Sequence, residues 1–229
     1  MAYTLFTANR NYSSWSLRPW LLMRELDIPF EDRLVPFGGP DNYDDFREFA
    51  PNGKVPCLHD GDTVVWDSLA IIEYLAERSP GVWPLDSTAR AWARCAAAEM
   101  HSGFSALRNL CPMSVGVRAE LNAVPPALQA DIDRIAELLT QGLDRFGGPW
   151  LAGDRFTAVD AFFAPVAFRV RSFGLQIGEK LGAWVVQMLG HPDTLAWEAA
   201  ALAETWRDEA HEAEIAAVAR VTADYRAQG

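Results

Sequence analysis

The stretch Gly53-Lys-Val-Pro-Cys-Leu-His-Asp-Gly-Asp-Thr-Val-Val-Trp-Asp-Ser-Leu-Ala-Ile-Ile-Glu-Tyr-Leu75 decides the fold. It reads as a loop closed by Val55-Pro56, a strand Cys57–His59, an Asp60-Gly61 turn and a second strand Thr63–Trp66. Asp-Gly between apolar runs is a hairpin signal, because glycine takes the positive φ that tight hairpin turns need. Asp67 and Ser68 then open a helix that is apolar at Leu69, Ile72 and Leu75; both are preferred N-cap residues. A helix N-terminus presents unpaired N–H groups and partial positive charge, which suits a carboxylate. Pro56, just ahead of a buried strand, suits a cis bond that leaves the Val55 backbone outward as a free edge. Together these features describe a surface for a short, extended, anionic peptide.

Working outward, strand Tyr3–Thr7 precedes helix Leu17–Leu26, followed by strand Phe30–Pro36 and a short helix around Tyr43–Phe49. A βαβ unit followed by a hairpin and a helix is a thioredoxin-like order, so residues 1–80 are expected to form an α+β domain of βαβαββα type. Ser79-Pro80-Gly81 and Pro84 mark a linker. Residues 87–229 read as an all-helical bundle domain. Thr88–Leu110 and Ala127–Phe146 are amphipathic, and the loop between them carries Pro112, Pro125 and Pro126. Thr157-Ala-Val-Asp160 is a capping-box variant opening Ala158–Val170, a helix apolar nearly all round and so expected at the centre of the bundle. The Ala-, Glu- and Arg-rich tail Glu204–Gln228 reads as an outer surface helix.

Composition narrows the function. The 229 residues carry a formal net charge of −11, which argues against nucleic acid and anionic membranes as partners. Three scattered cysteines, Cys57, Cys95 and Cys111, supply neither a disulfide framework nor a zinc site, and no metal is expected. Apolar runs such as Ala161–Ala167 are too short to span a bilayer. No signal peptide is evident, and a reduced cytoplasmic setting is the simplest expectation.

The Val-Pro, hairpin, acidic residue-Ser and apolar helix resemble the second half of the glutathione-binding domain of glutathione S-transferases. Tyr12-Ser13-Ser14-Trp15-Ser16-Leu17-Arg18 resembles the Ser-Ser-Cys-Ser-x-Arg signature of the zeta class, which includes maleylacetoacetate isomerases. Leu107-Arg-Asn-Leu110 is similar to a Leu-Gln-Asn-Leu run of the same class. The resemblance covers nearly the whole chain and implies a detoxifying transferase of the serine type acting on a small electrophile, a homodimer with glutathione as co-substrate. The alternatives it leaves open are a glutathione-dependent cis–trans isomerase of maleylacetoacetate or maleylpyruvate type and a non-catalytic binding module.

Glutathione chemistry needs a thiolate near neutral pH, whereas a free thiol titrates near ~8.5. A serine hydroxyl is too weak a base to take the proton, but it can donate to the sulfur and favour the anion. By resemblance Ser13 is the catalytic candidate, with Ser14 beside it; the alternative is that these serines only cap the helix. Trp15 stands where the zeta signature has cysteine, and reads either as a wall of the site or as core. The resemblance further implies that Val55 pairs its backbone with the cysteinyl unit, ahead of Pro56. Ser68 would take the γ-glutamyl carboxylate, Asp67 the ammonium and Lys54 the glycyl carboxylate. Asp67 is shorter than the Gln or Glu common there. Electrophile candidates by helical spacing are Met100, His101, Phe104, Ser105, Arg108 and Cys111, with Asn109 from the similar run. Arg169 and Arg171 follow the core helix; Arg171 is the candidate for a substrate carboxylate, against a surface ion pair for either arginine and a satisfied core histidine for His101.

Overall fold

The computed structural model describes residues 3–38 and 42–227. Its first part is β1 (Tyr3–Thr7), α1 (Ser14–Glu25), β2 (Phe30–Leu34), α2 (Tyr43–Arg47), β3 (Cys57–Asp60), β4 (Thr63–Trp66) and α3 (Ser68–Ala76). The four strands form one sheet in the order β2-β1-β3-β4, with β1 parallel to β2 and antiparallel to β3. The hairpin turn is Gly61-Asp62, one residue later than its sequence suggests, and Gly61 takes the positive φ of 58°. Register fixes the geography of the site. Phe6 of β1 lies opposite Cys57 of β3, and Cys57 lies opposite Trp66 of β4. The chain leaving β1, the chain entering β3 and the chain leaving β4 therefore meet at one end of the sheet.

The second part contains α4 (Ser87–Ser102), α5 (Ser105–Leu110), β5 (Val117–Leu121), α6 (Pro126–Phe146), α7 (Ala158–Phe173), α8 (Glu179–Gly190), α9 (Pro192–Ala203), α10 (Glu209–Val218) and β6 (Ala219–Asp224). Helix α7 sits at the centre, packed on α1, α4, α8 and β5. Phe162, Phe163 and Phe168 are fully buried there, each worth roughly 1.5–3 kcal/mol of apolar burial. Its capping box forms: Thr157 caps forward, and the buried Asp160 carboxylate accepts the backbone N–H groups of Thr157 and Leu151, both at 2.9 Å. Gly142 lets α6 close on α4, since a Cβ there would come within 2.3 Å of Trp92.

Three expectations need correction. Thr88–Leu110 is two helices, not one, because the chain breaks at Gly103 and Phe104 takes a left-handed conformation with φ 60°. The loop after Cys111 contains strand β5. The tail is not one helix: α10 ends at Val218 and β6 turns back to pair antiparallel with β5. No helix among the described residues is long and apolar enough to cross a membrane.

Candidate functional site

Helix α1 starts at Ser14, three residues earlier than expected, with Ser13 as its N-cap and Pro19 inside it. Proline has no N–H, so the Trp15 carbonyl lacks its usual intrahelical donor. The Ser13 hydroxyl accepts the Ser16 N–H at 3.4 Å and donates to Ser16 Oγ at 2.7 Å; Ser16 Oγ in turn accepts the Ala8 N–H at 3.3 Å. Ser13 and Ser14 are both buried at the positive end of α1.

The neighbouring chain ends complete this side. Val55-Pro56 is cis. The Val55 N–H and C=O make no hydrogen bond among the described residues, while Lys54 is exposed. Asp67 is the N-cap of α3 and accepts the Leu69 N–H at 2.8 Å. It does so at φ 68°, ψ 145°, a strained conformation for a residue with a side chain, costing about 1–3 kcal/mol. Ser68 follows, 1 % exposed, its hydroxyl without a partner. A buried hydroxyl donor at a helix N-terminus is an acceptor's site left open.

Opposite stand α4, α5 and α7, and here cations gather. Trp15, half-buried, has two guanidiniums over its ring: Arg18 Cζ is 4.2 Å from the ring centroid and Arg108 Cζ 4.6 Å. Arg18 is fully buried, lies 4.8 Å from the Phe162 ring, and has no hydrogen-bond partner on any of its three nitrogens. Burial, together with the positive charges of Arg108 and Arg169, pushes Arg18 well below the ordinary arginine value, and Asp67 only partly offsets this. Arg169 is buried on the inner side of α7. Its Nε donates to the Cys111 carbonyl at 2.8 Å, one terminal nitrogen is unpartnered, and burial pushes its pKa down to about 9. Arg108 donates to the carbonyls of Gly103 and Met100. His101 Nε2 is 3.5 Å from Asp67 Oδ1, its ring meets Trp15 edge-on, and its Nδ1 is buried without a partner. His101 and Asp67 thus link the two sides.

The structure separates the other candidates. Arg171, the candidate for a substrate carboxylate, instead lies in a largely buried ion pair with Glu198 at 2.8 Å, whereas Arg169 is interior rather than surface-paired. Ser105 and Asn109 are exposed on α5. Met100 and Phe104 are buried in the core. Burial pushes the Cys57 and Cys111 thiols up to about 12, which keeps both protonated and inert. Arg18 was overlooked as a site residue, although it sits in the serine signature between apolar Leu17 and Trp20 on a buried helix. Away from this region, Glu25, His191 and Asp193 bring ligand atoms within 4.8 Å of one another, but His191 is already on Glu25 at 2.9 Å and Asp193 on Arg24 at 3.1 Å.

Comparison with known proteins agrees with this geometry. The family model described as "Glutathione S-transferase, N-terminal domain" matches residues 12–78, and "Glutathione S-transferase, C-terminal domain" matches residues 117–211. The chain is 30% identical over 198 residues to glutathione S-transferase GstB of Escherichia coli K12, covering 80% of this chain and 92% of that one. It is 26% identical over 179 residues to maleylacetoacetate isomerase of Rattus norvegicus, covering 76% and 80%. Among solved structures, a glutathione transferase homolog from Burkholderia with bound glutathione superposes with a TM-score of 0.67 at 22% identity, covering 88% of this chain and 98% of that one. A theta class glutathione S-transferase from Xanthomonas axonopodis pv. citri with glutathione bound gives 0.63 at 24% identity, covering 89% and 98%. From the thioredoxin-like sheet, the buried central helix and these matches, the chain belongs to the glutathione S-transferase family of enzymes.

Proposed function

We propose that the chain binds glutathione at the sheet end and stabilises its thiolate for attack on a small electrophile. The observation that carries this reading is the register: it brings Ser13, Val55 and Ser68 to one end of the sheet, with the Ser68 hydroxyl buried and unpartnered. In this reading Val55 pairs with the cysteinyl backbone as an added strand and Ser68 takes the γ-glutamyl carboxylate. Asp67 takes the ammonium. Ser13, with Ser14 adjacent, turns its hydroxyl from Ser16 to the sulfur. The thiolate then forms the new C–S bond as the leaving group departs with its electron pair. Free, partly buried cysteines suit a reducing cytoplasm, and the family resemblance suits a homodimer in detoxification. The test is ultraviolet titration of bound glutathione. A thiol pKa below that of free glutathione in wild type, raised by Ser13→Ala, supports the reading; no binding, or an unshifted thiol, contradicts it.

A second reading has one observation in its favour. Arg18 and Arg169 are buried cations with unpartnered nitrogens beside the half-buried Arg108, and a buried charge without a partner is costly. An electrophile with its own carboxylate would supply the partner, as in glutathione-dependent isomerisation of a maleyl diacid. There the thiolate adds to the double bond, the adduct rotates, and glutathione leaves unchanged. Glutathione consumption separates the two: a transferase uses it up with turnover, an isomerase does not.

A further inference from the structure

The loop from Asn9 to Ser13 is held from outside the sheet by the end of the chain. Glu204, 6 % exposed, accepts the Arg10 N–H at 2.7 Å and the Asn11 N–H at 3.4 Å. Trp197 Nε1 donates to the Arg10 carbonyl at 3.0 Å, and Asn11 Nδ2 to the Ala201 carbonyl at 2.6 Å. The next side chain, Tyr12, is 4 % exposed and turned toward α10. Its hydroxyl donates to Glu212 at 2.5 Å and accepts from Arg226 at 3.0 Å; its ring stacks on His211 at 4.9 Å. Arg226, itself buried, forks onto Glu212 at 3.0 Å and Asp224 at 2.6 Å. Strand β6 carries this fork into place by pairing with β5, and the Tyr225 N–H donates to the Gly116 carbonyl at 2.9 Å. The match to the family's C-terminal domain ends at residue 211, so Glu212, β6 and Arg226 lie beyond it.

We infer that the segment α10–β6 is a positioning strap for Ser13, acting through Tyr12. Ser13 can hold a thiolate only if its hydroxyl sits within about 0.5 Å of the productive place. Its hydroxyl bonds along α1, while its N–H donates to the Asn9 carbonyl at 2.9 Å, so Ser13 moves with the loop that Glu204, Trp197 and Ala201 hold. The Tyr12–Glu212–Arg226 network adds a side-chain tie between this loop and α10, made of charge-assisted bonds with Tyr12 and Arg226 buried and Glu212 partly exposed. Burial, reinforced by Glu212, holds the Tyr12 phenol well above the ordinary tyrosine value, so it stays a donor to Glu212 at every working pH. Tyr12, Glu212 and Arg226 are thus positioning residues; none of them faces the sulfur. The inference rests on the serine–thiolate reading given above.

The test uses the full chain with Tyr12→Phe, which keeps the ring on His211 and deletes the hydroxyl, and Arg226→Lys, which keeps the charge and loses the fork. Each is read by thiol pKa of bound glutathione, by kcat and KM, and by Tm. The strap predicts that Tyr12→Phe raises the thiol pKa by about half to one unit and lowers kcat about three- to tenfold at neutral pH. KM for glutathione stays within about twofold, since Val55 and Ser68 are untouched. Arg226→Lys gives the same pattern at smaller size. In a Ser13→Ala background Tyr12→Phe adds nothing to the thiol shift, because both act on one bond. A lower Tm with unchanged thiol pKa in both variants overturns the strap and leaves the serine reading standing. An unchanged thiol pKa in Ser13→Ala overturns the strap together with the assignment of the thiolate to Ser13.

Discussion

At the sheet end, Ser13, Val55, Asp67 and Ser68 offer backbone groups, two hydroxyls, one carboxylate and two helix N-termini. Across from them, Arg18, Arg108 and His101 stand around Trp15, with the buried Arg169 near Arg18 and Arg108. The first region is built of dipoles that need little desolvation and can grip the same peptide in any relative. The second spends burial on charge, which Asp67 offsets only in part and an anionic occupant would offset further. A glutathione site made of dipoles can be shared throughout a family. In the reading proposed above, a cation set of this kind is what selects the second substrate.

The comparison breaks most easily at Ser13. Ser13→Ala should raise the apparent pKa of bound glutathione by about one to two units, the worth of a charge-assisted bond of about 1.5–3 kcal/mol, with affinity nearly unchanged. A large shift in Ser14→Ala with none in Ser13→Ala would move the role one residue on.

Arg18→Met sharpens the other side. It should cost a carboxylate-bearing electrophile about ten- to a hundredfold in kcat/KM and change a neutral one less than twofold. Because Arg18 has no partner to orphan, the apo protein should keep its Tm. A fall in Tm with both electrophiles equally affected would make Arg18 a packing residue stacked on Trp15 and Phe162.

Asp67 and Ser68 come next. Ser68→Ala should weaken glutathione about tenfold and weaken an analogue lacking the γ-glutamyl amine just as much. Asp67→Asn should weaken glutathione more than the analogue, since only glutathione loses an ion pair. Calorimetric titration of both ligands against both variants closes the cycle. Equal losses for Asp67→Asn would reduce Asp67 to the cap on Leu69.

The smallest effect concerns His101. Burial holds its pKa below the ordinary 6.5, Asp67 opposes this, and Arg18 and Arg108 add to it. The folded protein thus binds fewer protons there than the unfolded chain. The histidine's contribution is fully present above pH 6.5 and is lost as pH falls from 6.5 through the folded value. Arg18→Met should shrink that loss. Tm measured from pH 8 down to about pH 5 for wild type, Arg18→Met and His101→Gln checks it, with the flattest curve expected for His101→Gln.

The same contrast governs what the sequence discloses. β1 and β4 match their expected limits, and Asp67-Ser68 opens α3 as read, because strands, turns and caps follow from neighbours in the chain. Helix α1 begins at Ser14 rather than Leu17, with Pro19 tolerated inside it. The break at Gly103 was hidden by a helical pattern that a single glycine weakens by only ~1 kcal/mol. β6 could not be read at all: its partner lies about a hundred residues away, as in Glu120 opposite Arg220, and no local signal names it. Arg18 and Arg169 show the same limit. An arginine on an otherwise apolar helix face is visible in sequence, as Arg169 is one stripe on from Phe162 and Pro165, but its lack of a counter-ion appears only when the helices meet.

The central claim, that one side makes the nucleophile and the other selects the electrophile, is tested most directly by steady-state kinetics in a two-by-two design. Ser13→Ala and Arg18→Met are each assayed with a carboxylate-bearing electrophile and its neutral ester at saturating glutathione. The account predicts that Ser13→Ala lowers turnover of both by the same factor, while Arg18→Met lowers only the acid. If Arg18→Met lowers both equally, or Ser13→Ala spares one of them, the division of labour is wrong.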